Sequence, residues 1–161
     1  MPKLKTNMEF KIIKDIEGAK KAWNTLTANE TLYDNWDYRY CFYKYYNYEL
    51  FFYAGYLENE LIGLLPLQRN SDDICIEFFA EEFTESNHVF IRPGCERFIA
   101  DLYKAVEPGT KLLYIAKDNE FSNGFRLEEY KYVINLTKIK NGSDYIESVF
   151  QGKEKKNIKR E

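Results

Sequence analysis

The stretch 50–69, LFFYAGYLENELIGLLPLQR, decides how the rest of the chain is read. Leu50 to Leu57 is aromatic and apolar, Glu58-Asn59-Glu60 is a short polar break, and Leu61 to Leu67 is apolar again. Two β-rich runs joined by a short polar turn predict a hairpin. Pro66 has no backbone N–H to give to a ladder, so the second strand is expected to end there or to lie at an edge. The hairpin follows two helices and precedes a strand–helix unit, and that order narrows the choice of fold.

Working upstream, Glu9 to Ile13 reads as a short strand. Asp15 can cap a helix in which Ile16, Ala19, Ala22, Trp23 and Leu26 recur at helical spacing. A second helix is expected over about Leu32 to Tyr46, with Tyr33, Trp36, Tyr40 and Tyr43 along one face and Tyr38, Phe42, Tyr45 and Tyr46 off it. Downstream, strands are expected over Ile74 to Phe79 and His88 to Ile91. A helix should run from Cys95 to Val106 and stop at Pro108-Gly109. Lys111 to Ala116 and Tyr130 to Leu136 read as further strands, and Asp144 begins a last helix that runs on to Glu161. Mixed order of this kind predicts an α/β (α+β) domain in three layers, a mixed and mostly antiparallel sheet flanked by helices.

The 161 residues correspond to one domain at the usual allowance. Hydrophobic residues make up 45% and charged ones 30%, enough to bury a core and stay in solution. A net charge of −3 gives no general attraction to nucleic acid or membrane. No apolar run has transmembrane length and the basic start, Pro2-Lys3-Leu4-Lys5, lacks an apolar signal segment, so a cytoplasmic protein with no membrane partner is expected. Cys41, Cys75 and Cys95 show no paired metal spacing, so neither a metal site nor a disulfide framework is predicted.

Several residues carry candidate chemistry. Glu81, Glu82 and Glu85 can supply a general base, and Ser86-Asn87-His88 a polar cluster for a sugar or peptide acceptor; an acidic, solvated loop explains them equally well. His88 is the only histidine, and Cys95 stands seven residues on at a helix start, where a thiol pKa can fall. A strand and a turn separate the two, so a polar histidine at a strand start and a buried or capping cysteine is the preferred reading. Trp36 and Tyr40 can stack on an acceptor, although a one-sided aromatic stripe is more often core. The rings off the stripe favour burial against a partner. The basic run Lys153 to Arg160 reads more readily as a solvated helix face than as a nucleic-acid contact.

Taken in order, Trp23 and Leu26, Trp36, Leu61 to Leu67, Val89 to Gly94, and Tyr145, Ser148 and Lys153 to Arg160 resemble the N-terminal half of tandem GNAT-superfamily acyltransferases, which include BioF2-like/CelD-type acetyltransferases and FemAB-like peptidyltransferases. The resemblance implies a GNAT-like domain over 1–140 and, over 141–161, the start of a linker helix toward a second half. It implies an N-terminal fragment or a shortened relative, whose partner is that second half or a homo-oligomer mate. Coenzyme A would be held by a basic, glycine-rich loop before the helix that follows the fourth strand. The equivalent here, Arg92 to Arg97, has one glycine, a proline without an N–H, and Glu96 competing for the helix start. Arg92, Gly94 and Arg97 are the residues such a loop would use, but a fold-preserving turn is the preferred reading.

The implied function is therefore the non-donor half of an N- or O-acyltransferase acting on a sugar, peptide or small amine. Acetyl-CoA would be held by the complete enzyme and not by this half, Glu85, Asn87, His88, Trp36 and Tyr40 would face the acceptor, and no residue is assigned as the base. The alternatives are a non-enzymatic interaction module and a self-sufficient acetyl-CoA-dependent acetyltransferase.

Overall fold

The hairpin forms as β2, Glu49–Leu57, and β3, Glu60–Arg69, in a computed structural model that describes residues 8–46, 48–69, 75–115 and 140–158. Its two-residue turn places Glu58 and Asn59 at φ 51° and 68°, the positive values that match the twist of a tight hairpin. Gly55 faces Gly63, and the next pair is Tyr56 with Leu61, so Ile62 bulges out of the ladder. β1, Glu9–Ile13, lies antiparallel to β2 at one edge. On the other side β3 pairs with both β4, Ile76–Phe78, and β5, Phe90–Ile91. All these pairings are antiparallel, and Asn87 and Ile115 form an isolated parallel bridge.

β2 and β3 are buried along almost their whole length because both faces of the sheet are covered. α1, Ile16–Leu26, is capped by Asp15, whose Oδ1 accepts the Gly18 N–H at 2.7 Å. Its Ala19, Ala22 and Trp23 join Trp36 of α2, Trp36–Tyr46, against Leu50, Phe52, Ala54, Leu64 and Phe90. The opposite face packs Phe51, Tyr53, Leu65 and Leu67 against Ile99 and Leu102 of α3, Ile99–Lys104. Gly63 is required here, because a Cβ on it would lie 2.6 Å from Leu102 Cδ1 and 3.0 Å from Ile91 Cδ1.

Several elements differ from the sequence expectation. β3 neither ends at Pro66 nor lies at an edge: Pro66 is buried in the central strand opposite Phe52. Its carbonyl accepts the Phe79 N–H at 2.9 Å, so its imide nitrogen faces that same side, where β4 has just ended and no ladder donor is required. The second helix is split into a 3-10 turn, Leu32–Asp34, and α2, because Asp34 closes a capping box on Thr31 while Asn35 Oδ1 accepts the Tyr38 N–H at 3.1 Å. The third helix is likewise a 3-10 turn, Glu96–Phe98, followed by a short α3. The expected strands around β4 and β5 shrink to three and two residues. Residues 111–115 form no strand, since Tyr114 sits at φ 55° and interrupts the extended path; Lys111 N–H still reaches Ile76 O at 2.8 Å. The expected strand Tyr130 to Leu136 lies outside the described residues.

The chain divides into two units, Met1–Phe125 and Arg126–Glu161. In the second, α4, Gly142–Val149, is capped by Asn141 Oδ1 on the Asp144 N–H at 3.0 Å, and α5, Gly152–Ile158, follows after a break. The break replaces the continuous last helix expected from the sequence; Gly152 takes φ 56° there. Among the described residues, no helix is long and apolar enough to cross a membrane, and no three metal-binding side chains cluster.

Candidate functional site

The polar centre of the first unit is built on a guanidinium. Arg39 occupies the same helical face as Trp36, Tyr40 and Tyr43, and is 1% exposed. Its Nε donates to Tyr33 O at 2.6 Å, Nη1 to Phe79 O at 2.6 Å and Asn87 Oδ1 at 2.8 Å, and Nη2 to Ser86 O at 3.1 Å. Burial pushes its pKa down to about 10, while the nearby Asp34 carboxylate favours the charged form, so it remains a cation at neutral pH. A buried cation must find acceptors within reach. Arg39 finds three of its four in the loop 79–88, which it fixes to α2, and the fourth, Tyr33 O, in the 3-10 turn before the helix.

Asn87 is the second hub and is fully buried. Its Oδ1 accepts from Arg39 and from Thr84 Oγ1 at 3.1 Å, its Nδ2 donates to Leu113 O at 3.1 Å, and its N–H donates to Tyr114 O at 2.7 Å. Every polar atom of this side chain is committed to holding the loop. Glu81, 2% exposed, has Oε2 accepting the N–H groups of Leu113 at 3.0 Å and Phe78 at 3.4 Å. Burial, more than the neighbouring Glu77, raises its pKa against those two stabilising bonds.

His88, next to this anchored residue, is turned toward the 3-10 turn that precedes α2. Its Nε2 lies 3.5 Å from Oδ1 of Asp34, with side-chain exposures of 30% and 6%. The other Asp34 oxygen accepts from Thr31 N at 3.0 Å and Thr31 Oγ1 at 2.9 Å, which fixes the carboxylate. Its backbone carbonyl takes the Trp23 indole N–H at 2.8 Å. Oδ1 is buried and makes no hydrogen bond, so the 3.5 Å approach is an ion-pair distance rather than a formed bond. The His88 ring also stands edge-on to Phe90 at 4.7 Å. A half-exposed imidazole beside a fixed, buried carboxylate can accept a proton from a bound group and release it to water.

The remaining sequence candidates fall in different places. Glu85 is exposed and hydrogen-bonded to the Tyr33 phenol, whose pKa rises chiefly through burial and secondarily through that carboxylate. Trp36 belongs to the core, 5.8 Å from Trp23 and 5.5 Å from Phe79, and half-buried Tyr40 stacks on it at 5.9 Å. Part of the aromatic surplus packs within this same unit: Phe42 stacks on Phe83 at 3.9 Å, Tyr46 on Phe83 at 5.4 Å, and the Tyr38 hydroxyl donates to Phe83 O at 2.7 Å. Tyr45 stays 81% exposed. The structure thus brings Asn87, His88 and Glu85 to one loop and leaves Trp36 inside.

The loop 92–97 is tied to the hairpin by Arg92 and to itself by Glu96. Arg92 pairs with Glu60 and donates to Leu61 O at 2.8 Å. The Gly94 N–H donates to Glu96 Oε1 at 2.9 Å, and Arg97 lies over the Phe98 ring at 4.7 Å. The carboxylate occupies the Gly94 N–H, and α3 is only six residues long. Cys95 precedes the 3-10 turn and its N–H donates to Arg92 O at 3.0 Å.

Sequence reading missed Arg39 and Asp34. The signals were present: a cation at an apolar-stripe position, and Thr31-x-x-Asp34 as a capping box before the helix. An open groove of about 740 Å³ on the α3 face, lined by Met8, Phe10, Ile12, Tyr53, Phe98 and Lys104 among others, is separate from these residues. Compared with protein-family models, curated proteins and solved structures, the chain matches none in any of the three.

Proposed function

We propose that this chain is the acceptor-side, non-donor half of a GNAT-type acyltransferase, and that the acceptor is an amine or hydroxyl on a sugar, peptide or small amine. Support for the scaffold comes from the order of strand, two helices, hairpin, interrupted fourth strand and short helix. The observation that carries the non-donor reading is the Glu96 carboxylate on the Gly94 N–H, since a phosphate cradle needs that donor free and a carboxylate there repels an anion.

In the proposed chemistry an acyl thioester is presented by a second half or a second copy. Once the ammonium has lost one proton, the acceptor nitrogen attacks the thioester carbonyl, the C–N bond forms and the C–S bond breaks. The second nitrogen proton goes to the departing thiolate, which leaves as free coenzyme A. His88 takes the proton that the ammonium gives up, with Asp34 stabilising the imidazolium, and returns it to solvent. Asn87 and Arg39 hold His88 in place without touching the acceptor.

The test pairs two titrations of the folded chain. Calorimetry with acetyl-CoA is expected to show no binding, whereas the His88 imidazole NMR signals shift with at least one of glucosamine, a short peptide amine or spermidine. Micromolar acetyl-CoA binding would establish a self-sufficient acetyltransferase instead. Silence toward every amine would favour a non-enzymatic interaction module, a reading to which the exposed Phe10, Ile12 and Tyr45 lend weight.

A further inference from the structure

We infer that β1 is a self-complementary docking edge through which two copies of this chain join their sheets. β1 is the first strand of the sheet path and, among the described residues, its only pairing is with β2. Its alternation puts Glu9, Lys11 and Ile13 on the face shared with α1, and Met8, Phe10 and Ile12 on the face shared with α3. Phe10 and Ile12 are 40% and 45% exposed, although both are large and apolar, and they form one wall of the open groove beside α3. An edge strand with exposed apolar side chains is a template for strand addition.

The occupant is chosen by charge. A two-fold axis perpendicular to the sheet keeps each face on its own side, so only even-with-even and odd-with-odd pairings are allowed. Centring the axis on Glu9 opposes Glu9 to itself, and centring it on Lys11 opposes Lys11 to itself. Centring it on Phe10 places Glu9 opposite Lys11 of the second copy, twice over, with Phe10 against Phe10 and Met8 against Ile12. That register alone of the three pairs opposite charges and apolar neighbours together, on opposite faces of the joined sheet. The two apolar grooves then meet across the axis, which covers the exposed Phe10 and Ile12 rims.

Sedimentation equilibrium of the full chain, from micromolar to near-millimolar concentration, tests this. A reversible dimer is expected. Glu9→Lys and Lys11→Glu, each at an exposed position, place like charges opposite each other at two sites and weaken the dimer by about tenfold or more. The double exchange Glu9→Lys with Lys11→Glu restores it, and Phe10→Asp abolishes it, while far-UV circular dichroism of every variant stays that of the parent. A monomer at all concentrations, a dimer indifferent to the single exchanges, or a double exchange that fails to restore association would each overturn the inference.

Discussion

Phe79 donates its N–H to the carbonyl of Pro66 at 2.9 Å, and Pro66 has no N–H to return. In a regular antiparallel pair both bonds are exchanged. Here the Phe79 carbonyl accepts Nη1 of Arg39 instead. The proline thus leaves open the acceptor that helps hold a buried cation. Arg39→Met, which strands that carbonyl and three other acceptors, should cost about 3 kcal/mol or more in urea unfolding. Pro66→Ala alone should cost about 0.4–1 kcal/mol through the freer unfolded chain. In the Arg39→Met background the N–H that this substitution adds to the strand has the Phe79 carbonyl to itself, so the Pro66→Ala cost should disappear or reverse. Strict additivity of the two changes would sink the coupling.

Glu81 gives a pH signature. Its pKa is raised in the folded state above the ordinary 4.5, with burial as the leading cause. A raised carboxylate binds its proton more tightly folded than unfolded, so its contribution is complete below pH 4.5 and is lost as pH rises through the folded value. Glu81→Gln keeps an oxygen for the Leu113 and Phe78 N–H groups but does not titrate. The stability of the parent should therefore improve relative to Glu81→Gln as pH falls from neutral toward 4.5. Urea midpoints of the two proteins across that range measure it, and a difference that stays constant, or grows in favour of the variant on acidification, contradicts the assignment.

Local signals were legible and remote ones were not. Asp15 and the Ala19, Ala22, Trp23 spacing predict α1 with its bounds, and β1 forms where its own residues place it, because cap and periodicity are properties of neighbouring residues. Pro66 was misplaced because its tolerance depends on Phe79 and on where β4 stops, neither of which is local. Residues 111–115 look β-prone, yet they meet the rest of the fold through scattered backbone bonds to Ile76 and Asn87 and through the side chains of Glu81 and Asn87, not along a full strand edge. In the candidate site, His88 and Asn87 stood out as a polar cluster. Asp34 and Arg39 carry local signals, a capping box and a cation on an apolar stripe, but what they do in the site rests on His88, Phe79 and Asn87, 40 or more positions away.

Gly63 tests the packing between the bulged hairpin and α3. A methyl group there meets the Leu102 side chain, which is fully buried and has little room to turn away. Gly63→Ala should lower stability by about 1–3 kcal/mol. Leu102→Ala alone should cost about 2–5 kcal/mol. Combined, the added methyl enters the space that Leu102 vacates, and the double variant should be more stable than the sum of the two losses predicts. Thermal unfolding of the four proteins checks this, and a double variant at or below the sum would show that the strain lies elsewhere.

Asn87 separates an acceptor contact from an anchoring one. Both ends of its amide are occupied inside the protein, by Arg39, Thr84 and Leu113, and none of the side chain is exposed. Asn87→Ala leaves the Leu113 carbonyl without this donor and takes one acceptor from the buried guanidinium. A loss of about 2–4 kcal/mol is expected, consistent with unpaired buried polar groups. Asn87→Asp keeps the acceptor for Arg39 and Thr84 but puts an oxygen against the Leu113 carbonyl in place of the N–H, so it too should destabilise, at neutral pH most of all. Protonating the carboxyl restores one donor, and the gap between Asn87→Asp and the parent should narrow on acidification while that of Asn87→Ala does not. Chemical unfolding at two pH values distinguishes them. A stable Asn87→Ala protein would remove the anchor on which the position of His88 depends.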